Sequence, residues 1–325
     1  MRTINIIATT ISGSIKDWKK IGLIKGEFKK FYTGKINVYV VDSHKKAREK
    51  ANELVKKGEK IVVSAGGAGT FNSVLEGSRL KRGFPEGLRL AFLRKGSADL
   101  IGKVLNIPDE LTAAAKIISN SIKKDNIVES DVIETGIDDK KYHFIGFGGV
   151  GIFGIVPYFT ESRFKKYYKG LLGHWFGDRG PFLLGANLAI FKYYKDKIFR
   201  KIKFIINIGE KEFPVEQYSS IIIMNGDLGK DFPLARGIPL ATGYFKVILF
   251  KDLGLFNSYS QMIHAWKGDI ENHKEKLGVE ILRTKTLAIM PEKPNEYMVN
   301  VDGLLVKTRG KINYRISGRV KLITG

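Results

Sequence analysis

Over the first 130 residues the apolar positions alternate between two periods. TINIIAT, KINVYVV, KIVVSA and LRLAFL are short apolar runs that read as strands. Between them, SHKKAREKANELVKKG sets Ala47, Ala51, Leu54 and Val55 on one helical face, and TFNSVLEGSRL reads as a second helix. SADLIGKVL follows as a short helix halted by Asn106 and Pro108, then ELTAAAKIISNSI as a longer one. Strands spaced by helices of this length pair in parallel. The pattern therefore predicts a doubly wound α/β domain with its ligand at the carboxyl ends of the strands.

Past residue 130 the period stays near two. DVIETG, KYHFIGF, KFIINIG, SSIIIMNG, YFKVILF, TLAIMP, EYMVNVDG, LLVKT and YRISGRVKLIT are strand-like runs separated by Gly, Asn, Asp and Pro. They predict an antiparallel β domain with helical segments at 158–200 and 256–275 inserted. Asn225-Gly226 and Asp302-Gly303 read as hairpin turns. The expected division is 1–130 for an α/β nucleotide-binding domain and 131–325 for a β-sandwich, with the last strands free to return to the first domain.

Composition narrows the chemistry. The 325 residues include no cysteine, which excludes disulfides, thiolate nucleophiles and Cys-based metal sites. The N-terminal MRTINIIATTISGS reads as a first strand rather than a signal peptide, and the 144–159 apolar run is too short and glycine-rich for a membrane span. A cytoplasmic protein is expected, with peripheral association at the inner membrane face left open. The formal charge of +22 implies anionic partners. It is densest from Arg163 to Lys203, where eleven Lys or Arg stand against Asp178 and Asp196 and alternate with aromatics in RFKKYYKG and FKYYKDKIFRKIKF. That mixture suits a lipid–water interface or a nucleic-acid backbone, and equally a solvated helix face.

Three stretches carry candidate chemistry. In IVVSAGGAGTFNSV, glycines 66, 67 and 69 sit between a strand and a helix. There they can take positive φ and present backbone N–H groups to a phosphate, with Thr70 as N-cap and hydroxyl donor; a plain tight turn uses the same residues. In RKGSADLIGKVLNIP, Gly96 turns the chain and Ser97 stands where a second helix begins, adding donors at the same sheet edge or simply capping that helix. In MNGDLGKDFPLARG, Asp227 and Asp231 flank a glycine and are candidates for reactive or metal-binding acids, against their common role as turn formers.

Together these stretches resemble the diacylglycerol kinase catalytic-domain family, which includes bacterial lipid kinases and sphingosine kinases. The family's GGDGT-x-NE motif aligns with Gly66-Gly67-Ala68-Gly69-Thr70-Phe71-Asn72-Ser73. Its G-T-x-N-D-F-A-R-x-L-G-I-P pattern aligns without gaps over Gly96 to Pro108. Asp131, FIGFGGVGIF, ARGIPLATGYFKVILF and VDGLL follow in the family's order. NAD kinases share the glycine motif and the two-domain plan, but GSADLIGKVLNIP fits the lipid group better. The resemblance implies ATP held in an interdomain cleft by Gly66, Gly67, Gly69, Thr70, Asn72, Gly96 and Ser97, magnesium assistance, and transfer of the γ-phosphoryl to a lipid hydroxyl.

The chain departs from that pattern at its acids. Ala68, Ser73, Leu100, Thr242 and Leu304 stand where the family carries carboxylates. Loss of a catalytic base costs on the order of 10² to 10⁴ in rate. Asp227, Asp231 and Asp99 are the replacement candidates. Two readings follow: a working lipid kinase with relocated acids, and a kinase-fold protein that binds nucleotide or anionic lipid without turnover. A third, nucleic-acid binding, has only charge and aromatics behind it. Acceptor, metal ligands and oligomeric state are not readable here.

Overall fold

The structure is a computed structural model that describes residues 2–10, 18–94, 100–160, 179–199 and 202–325. The chain forms two units, one of Met1–Val132 with Ser317–Gly325 and one of Ile133–Ile316.

Unit 1 is a parallel sheet with helices. Its strands β1 (Ile4–Thr9), β2 (Ile36–Val41), β3 (Ile61–Gly66) and β4 (Arg89–Arg94) lie in the order β2-β1-β3-β4. Every residue of β1 and β3 is buried, Asn5, Thr9 and Ser64 included, as in strands covered on both faces. Beyond β4 the sheet is extended by the end of β16 (Ile312–Ile323), parallel to β4 through Lys321 opposite Arg89 and Leu322 opposite Leu90.

Helix α2 (His44–Lys56) starts at Ser43, whose hydroxyl accepts from the Lys46 N–H, and buries the expected Ala47, Ala51, Leu54 and Val55. It packs on α3 (Ala68–Ser78), and Gly77 permits the approach because a Cβ there would stand 2.8 Å from Cβ of Ala51. Helix α4 spans Leu100–Val104. Helix α5 (Leu111–Lys124) is capped by Glu110, whose carboxylate accepts from Thr112 N at 2.8 Å and Ala113 N at 2.6 Å. Helix α1 (Trp18–Lys29) is one the sequence pattern did not single out.

Unit 2 is a pair of antiparallel sheets on one core, with helices inserted. One sheet holds β6 (Lys140–Phe144), β8 (Phe204–Ile208), β9 (Lys211–Glu216) and β13 (Thr286–Pro291), together with the portions of β5 (Ile127–Ile137) and β16 that fall in this unit. The other runs β12-β11-β10-β7-β14-β15, built from Val279–Thr284, Phe245–Lys251, Tyr218–Met224, Phe147–Gly151, Tyr297–Val301 and Leu304–Thr308. Ile206, Leu287, Ile289 and Ile312 from the first sheet meet Val150, Ile221, Val247 and Val299 from the second in a shared core. The inserted helices are α6 (Ile152–Thr160), α7 (Arg179–Phe199), α8 (Leu255–Lys267) and the short α9 (Lys274–Leu277).

Of the two expected hairpins, only one forms. Asp302 (φ 50°) and Gly303 (φ 90°) turn the chain between β14 and β15. Asn225-Gly226 instead opens the long connection from β10 to β11. There Asn225 donates to Ile145 O at 3.0 Å, and Gly226 is needed because a Cβ would stand 2.8 Å from Pro239 O.

Candidate functional site

The glycine turn of unit 1 lies between β3 and α3, at the carboxyl edge of a fully buried strand. None of Gly66, Gly67 and Gly69 takes positive φ, contrary to expectation. Helix α3 begins at Ala68, with Gly67 as N-cap in extended conformation (φ −91°, ψ −174°). Because the helix starts so early, Thr70 lies within its first turn and points inward. It is fully buried, and its hydroxyl shares a 2.8 Å hydrogen bond with that of Thr9 on β1. Thr70 is therefore neither the N-cap nor a surface donor.

Two of the glycines are explained by packing. A Cβ at Gly66 would stand 2.6 Å from Cβ of Thr70, and one at Gly69 would stand 2.9 Å from Cε1 of His44.

What the turn offers a ligand is backbone. The N–H groups of Thr70 and Phe71 bond Gly67 O, and the N-cap glycine has no side chain to cap the helix, so the N–H groups of Ala68 and Gly69 at its start have no carbonyl partner within the helix, the arrangement that suits an anion. Asn72 stands one turn in, its Oδ1 buried and without a hydrogen-bond donor. His44, at the start of α2, is a site residue the sequence reading missed; its one local signal was an imidazole directly after the Ser43 cap. Burial of the ring against Gly69, with Arg48 nearby, lowers its pKa below the ordinary imidazole value and favours the neutral form.

The family's missing acids are occupied differently. Ser73 donates its hydroxyl to Gly69 O at 2.8 Å, Leu100 opens α4, and Thr242 bonds its hydroxyl to Tyr244 O at 2.8 Å. Leu304 is exposed at the start of β15. Gly96, Ser97 and Asp99 lie outside the described residues.

In unit 2, Asp227 clasps its own loop. Oδ1 accepts from Gly229 N at 2.8 Å and Oδ2 from Gly237 N at 2.7 Å. Asp231 lies four residues on, in the turn before Phe232 and Pro233. The sequence thus brings Gly66, Gly67, Gly69, Thr70 and Asn72 together on one turn of unit 1, and Asp227 and Asp231 on one loop of unit 2.

The same unit contains a cavity of about 90 Å³ that the sequence gave no sign of. Phe153, Val156, Ile190, Ile222, Met262 and Trp266 form much of its wall, and Ser219, Ser220, Ser258 and Gln261 supply its polar groups. Gln261 is fixed: its amide donates to Lys251 O at 2.9 Å and Leu277 O at 2.8 Å, and its oxygen accepts from Ser219 at 2.9 Å.

Within FKYYKDKIF, Tyr193 and Tyr194 turn inward, while Phe191 is exposed. The Tyr193 hydroxyl lies 2.9 Å from Tyr218 O and 3.1 Å from Asp252 Oδ2, with its one proton to give between them, and Tyr194 donates to Asp252 Oδ1 at 2.9 Å. Burial, with the Asp252 charge adding to it, pushes both phenol pKa values far up, so they stay protonated donors. Lys192 pairs with Asp196 at 3.0 Å, while RFKKYYKG lies outside the described residues. Among the described residues, no helix is long and apolar enough to cross a membrane.

Comparison with known proteins follows this division. Residues 3–130 match the family model of the diacylglycerol kinase catalytic domain. The diacylglycerol kinase of Staphylococcus haemolyticus (strain JCSC1435) is 23% identical over 274 residues, spanning 82% of this chain and 72% of that protein. That of Staphylococcus aureus (strain Newman) is 22% identical over 274 residues, covering 82% and 75%.

Among solved structures, a putative diacylglycerol kinase from Bacillus anthracis str. Sterne superposes with a TM-score of 0.64 at 15% identity, covering 100% of this chain and 97% of that one. An NAD kinase from Archaeoglobus fulgidus in complex with ATP superposes at 0.50 with 14% identity, covering 100% and 94%. At such identities the structural likeness speaks for the fold, while the homology supports a lipid-kinase-like function. Residues 3–130 thus match the diacylglycerol kinase catalytic domain, and relatives named diacylglycerol kinases align over most of the chain, so the chain resembles that family beyond the matched domain.

Proposed function

We propose that the protein is an ATP-dependent phosphotransferase whose acceptor is a lipid hydroxyl. The observation that carries this reading is the unit 2 cavity, with aliphatic and aromatic walls and a few fixed polar groups. Each CH₂ moved from water into such a space gains about 0.8 kcal/mol. Apolar cavities of about 150 Å³ admit benzene. A space of about 90 Å³ therefore suits a short stretch of acyl chain rather than a whole lipid. Helix α8 also carries exposed apolar side chains: Phe256 is 88% exposed, and Leu255 and Ile263 are exposed with it. With the excess positive charge, these side chains suit the anionic inner leaflet of a membrane, where a cytoplasmic lipid kinase meets its acceptor.

ATP fits the β3–α3 turn. The uncapped helix start suits phosphate oxygens, Asn72 Oδ1 needs the donor that a ribose hydroxyl or adenine amine supplies, and neutral His44 can donate from one ring nitrogen. When bound, ATP supplies the phosphoryl group, and the chain's part is to orient it.

Magnesium fits poorly at the family positions. Ala68, Ser73, Leu100, Thr242 and Leu304 offer the ion no carboxylate. For the acceptor hydroxyl, Asp231 and Asp227 are the candidate bases, Asp227 being held by two loop amides.

The five replaced acids favour a second reading, a protein that binds nucleotide or anionic lipid without turnover. Labelled ATP incubated with vesicles of mixed lipid extract containing diacylglycerol separates the two. Label in a phospholipid that is lost in Asp231→Asn supports the kinase. A blank, with saturable heat from a nonhydrolysable ATP analogue, supports the binding protein. A blank without that heat overturns both.

A further inference from the structure

We propose that His264, Asp269 and His273 form a zinc-binding site on unit 2. One ligand atom from each residue lies within 4.8 Å of the other two. His264 Nδ1 is 2.9 Å from Asp269 Oδ1, and His273 Nε2 is 3.9 Å from Asp269 Oδ2. Zinc bound tetrahedrally at about 2.0–2.1 Å from nitrogen and oxygen spaces its donors at about 3.3 Å. Small side-chain rotations close the difference, and all three side chains have the exposure to make them, at 22%, 34% and 42% of full accessibility. Two imidazoles and a carboxylate are a common zinc donor set, with the open fourth position left to water.

The backbone builds the cluster. Gly268 ends α8 in the left-handed conformation (φ 74°), which returns Asp269 to the last helical turn. The following 3-10 turn, Ile270–His273, then brings the second imidazole round to the same carboxylate. A helix C-cap alone does not account for this. The N–H groups of Gly268 and Asp269 already satisfy His264 O, at 3.0 and 3.2 Å, so the helix end is closed by backbone. Nothing in that closure calls for His273, whose ring centroid lies 4.2 Å from that of His264.

The ion's role is structural. Asp269 and His273 follow α8, and His264 sits beside Ala265 and Trp266 and one turn after Gln261, three residues that line the cavity. Zinc would tie that wall to the chain that follows it.

The test uses the full, untagged chain stripped with EDTA and titrated with zinc chloride by calorimetry, with cobalt(II) absorption as a second probe. One saturable site per chain is expected, with tetrahedral cobalt bands in the visible. His264→Ala and His273→Ala should each weaken binding by at least about tenfold, and zinc should raise the wild-type melting temperature. His143→Ala, at a histidine paired with Glu134 elsewhere in the unit, should leave zinc binding unchanged. Should a variant not fold, the wild-type cobalt spectrum decides. Absent bands, no saturable heat up to about 1 mM zinc, or binding indifferent to both ligand substitutions overturns the site.

Discussion

The two units present their candidate ligand surfaces in different materials. Unit 1 offers main chain: an uncapped helix start whose glycines at 66 and 69 are held in place by the packing of Thr70 and His44. Unit 2 offers side chains: an apolar cavity wall and a loop clasped by Asp227. An anion site made of backbone keeps its donors whatever side chains change around it. A catalytic centre made of carboxylates does not. This explains how the glycine turn can stand intact beside five family positions without acids, and why the glycines alone argue for binding rather than turnover.

The sharpest test of the steric half is Gly66→Ala. Its Cβ meets Thr70 in the core, so the variant should lose about 1–3 kcal/mol in urea unfolding, together with the nucleotide heat. Unchanged stability would show that packing does not require this glycine.

For the apolar half, Ala265→Phe should fill the cavity and lower phospholipid labelling about tenfold, because excluding two CH₂ groups at about 0.8 kcal/mol each reaches that factor. Full labelling would remove the cavity from the acceptor site.

A smaller effect should come from His44. Its folded pKa lies below the unfolded value of about 6.5, so its contribution to stability is complete above that pH and lost as pH falls through the folded pKa. Urea curves from pH 8 to 5 for wild type and His44→Gln should therefore converge at the acid end, and parallel curves would refute the assignment. Least of all, Phe256→Ser should shift stability by no more than about 0.5 kcal/mol while reducing cosedimentation with anionic vesicles a few-fold. Equal pelleting would return that side chain to ordinary solvent exposure.

Much of the fold can be read locally. The runs that became β1 and β3 are mostly apolar, α2 has four apolar residues on one face, and Asp302-Gly303 has turn chemistry that works wherever it is placed. Helix α1 has no such local mark: Gly22 and Gly26 interrupt it, and its average hydrophobicity is neutral.

The site was legible in location more than in detail. Strand, glycines and helix could be placed, but φ at Gly67 depends on where α3 starts, and the burial of Thr70 depends on Thr9, 61 residues away in the chain. The cavity, the inward tyrosines and the contact of His44 with Gly69 are all tertiary. No window of sequence contains both partners.

The strand shared between the units has a consequence for synthesis. The flank of β4 is completed by residues near 321, more than two hundred positions later in the chain. On the ribosome, that buried strand would wait with an unpaired edge through the translation of all of unit 2. Such an edge invites pairing with neighbouring nascent chains. The interval before residues 317–323 emerge is thus the period of greatest exposure to misassembly, and the point at which a chaperone would be most useful.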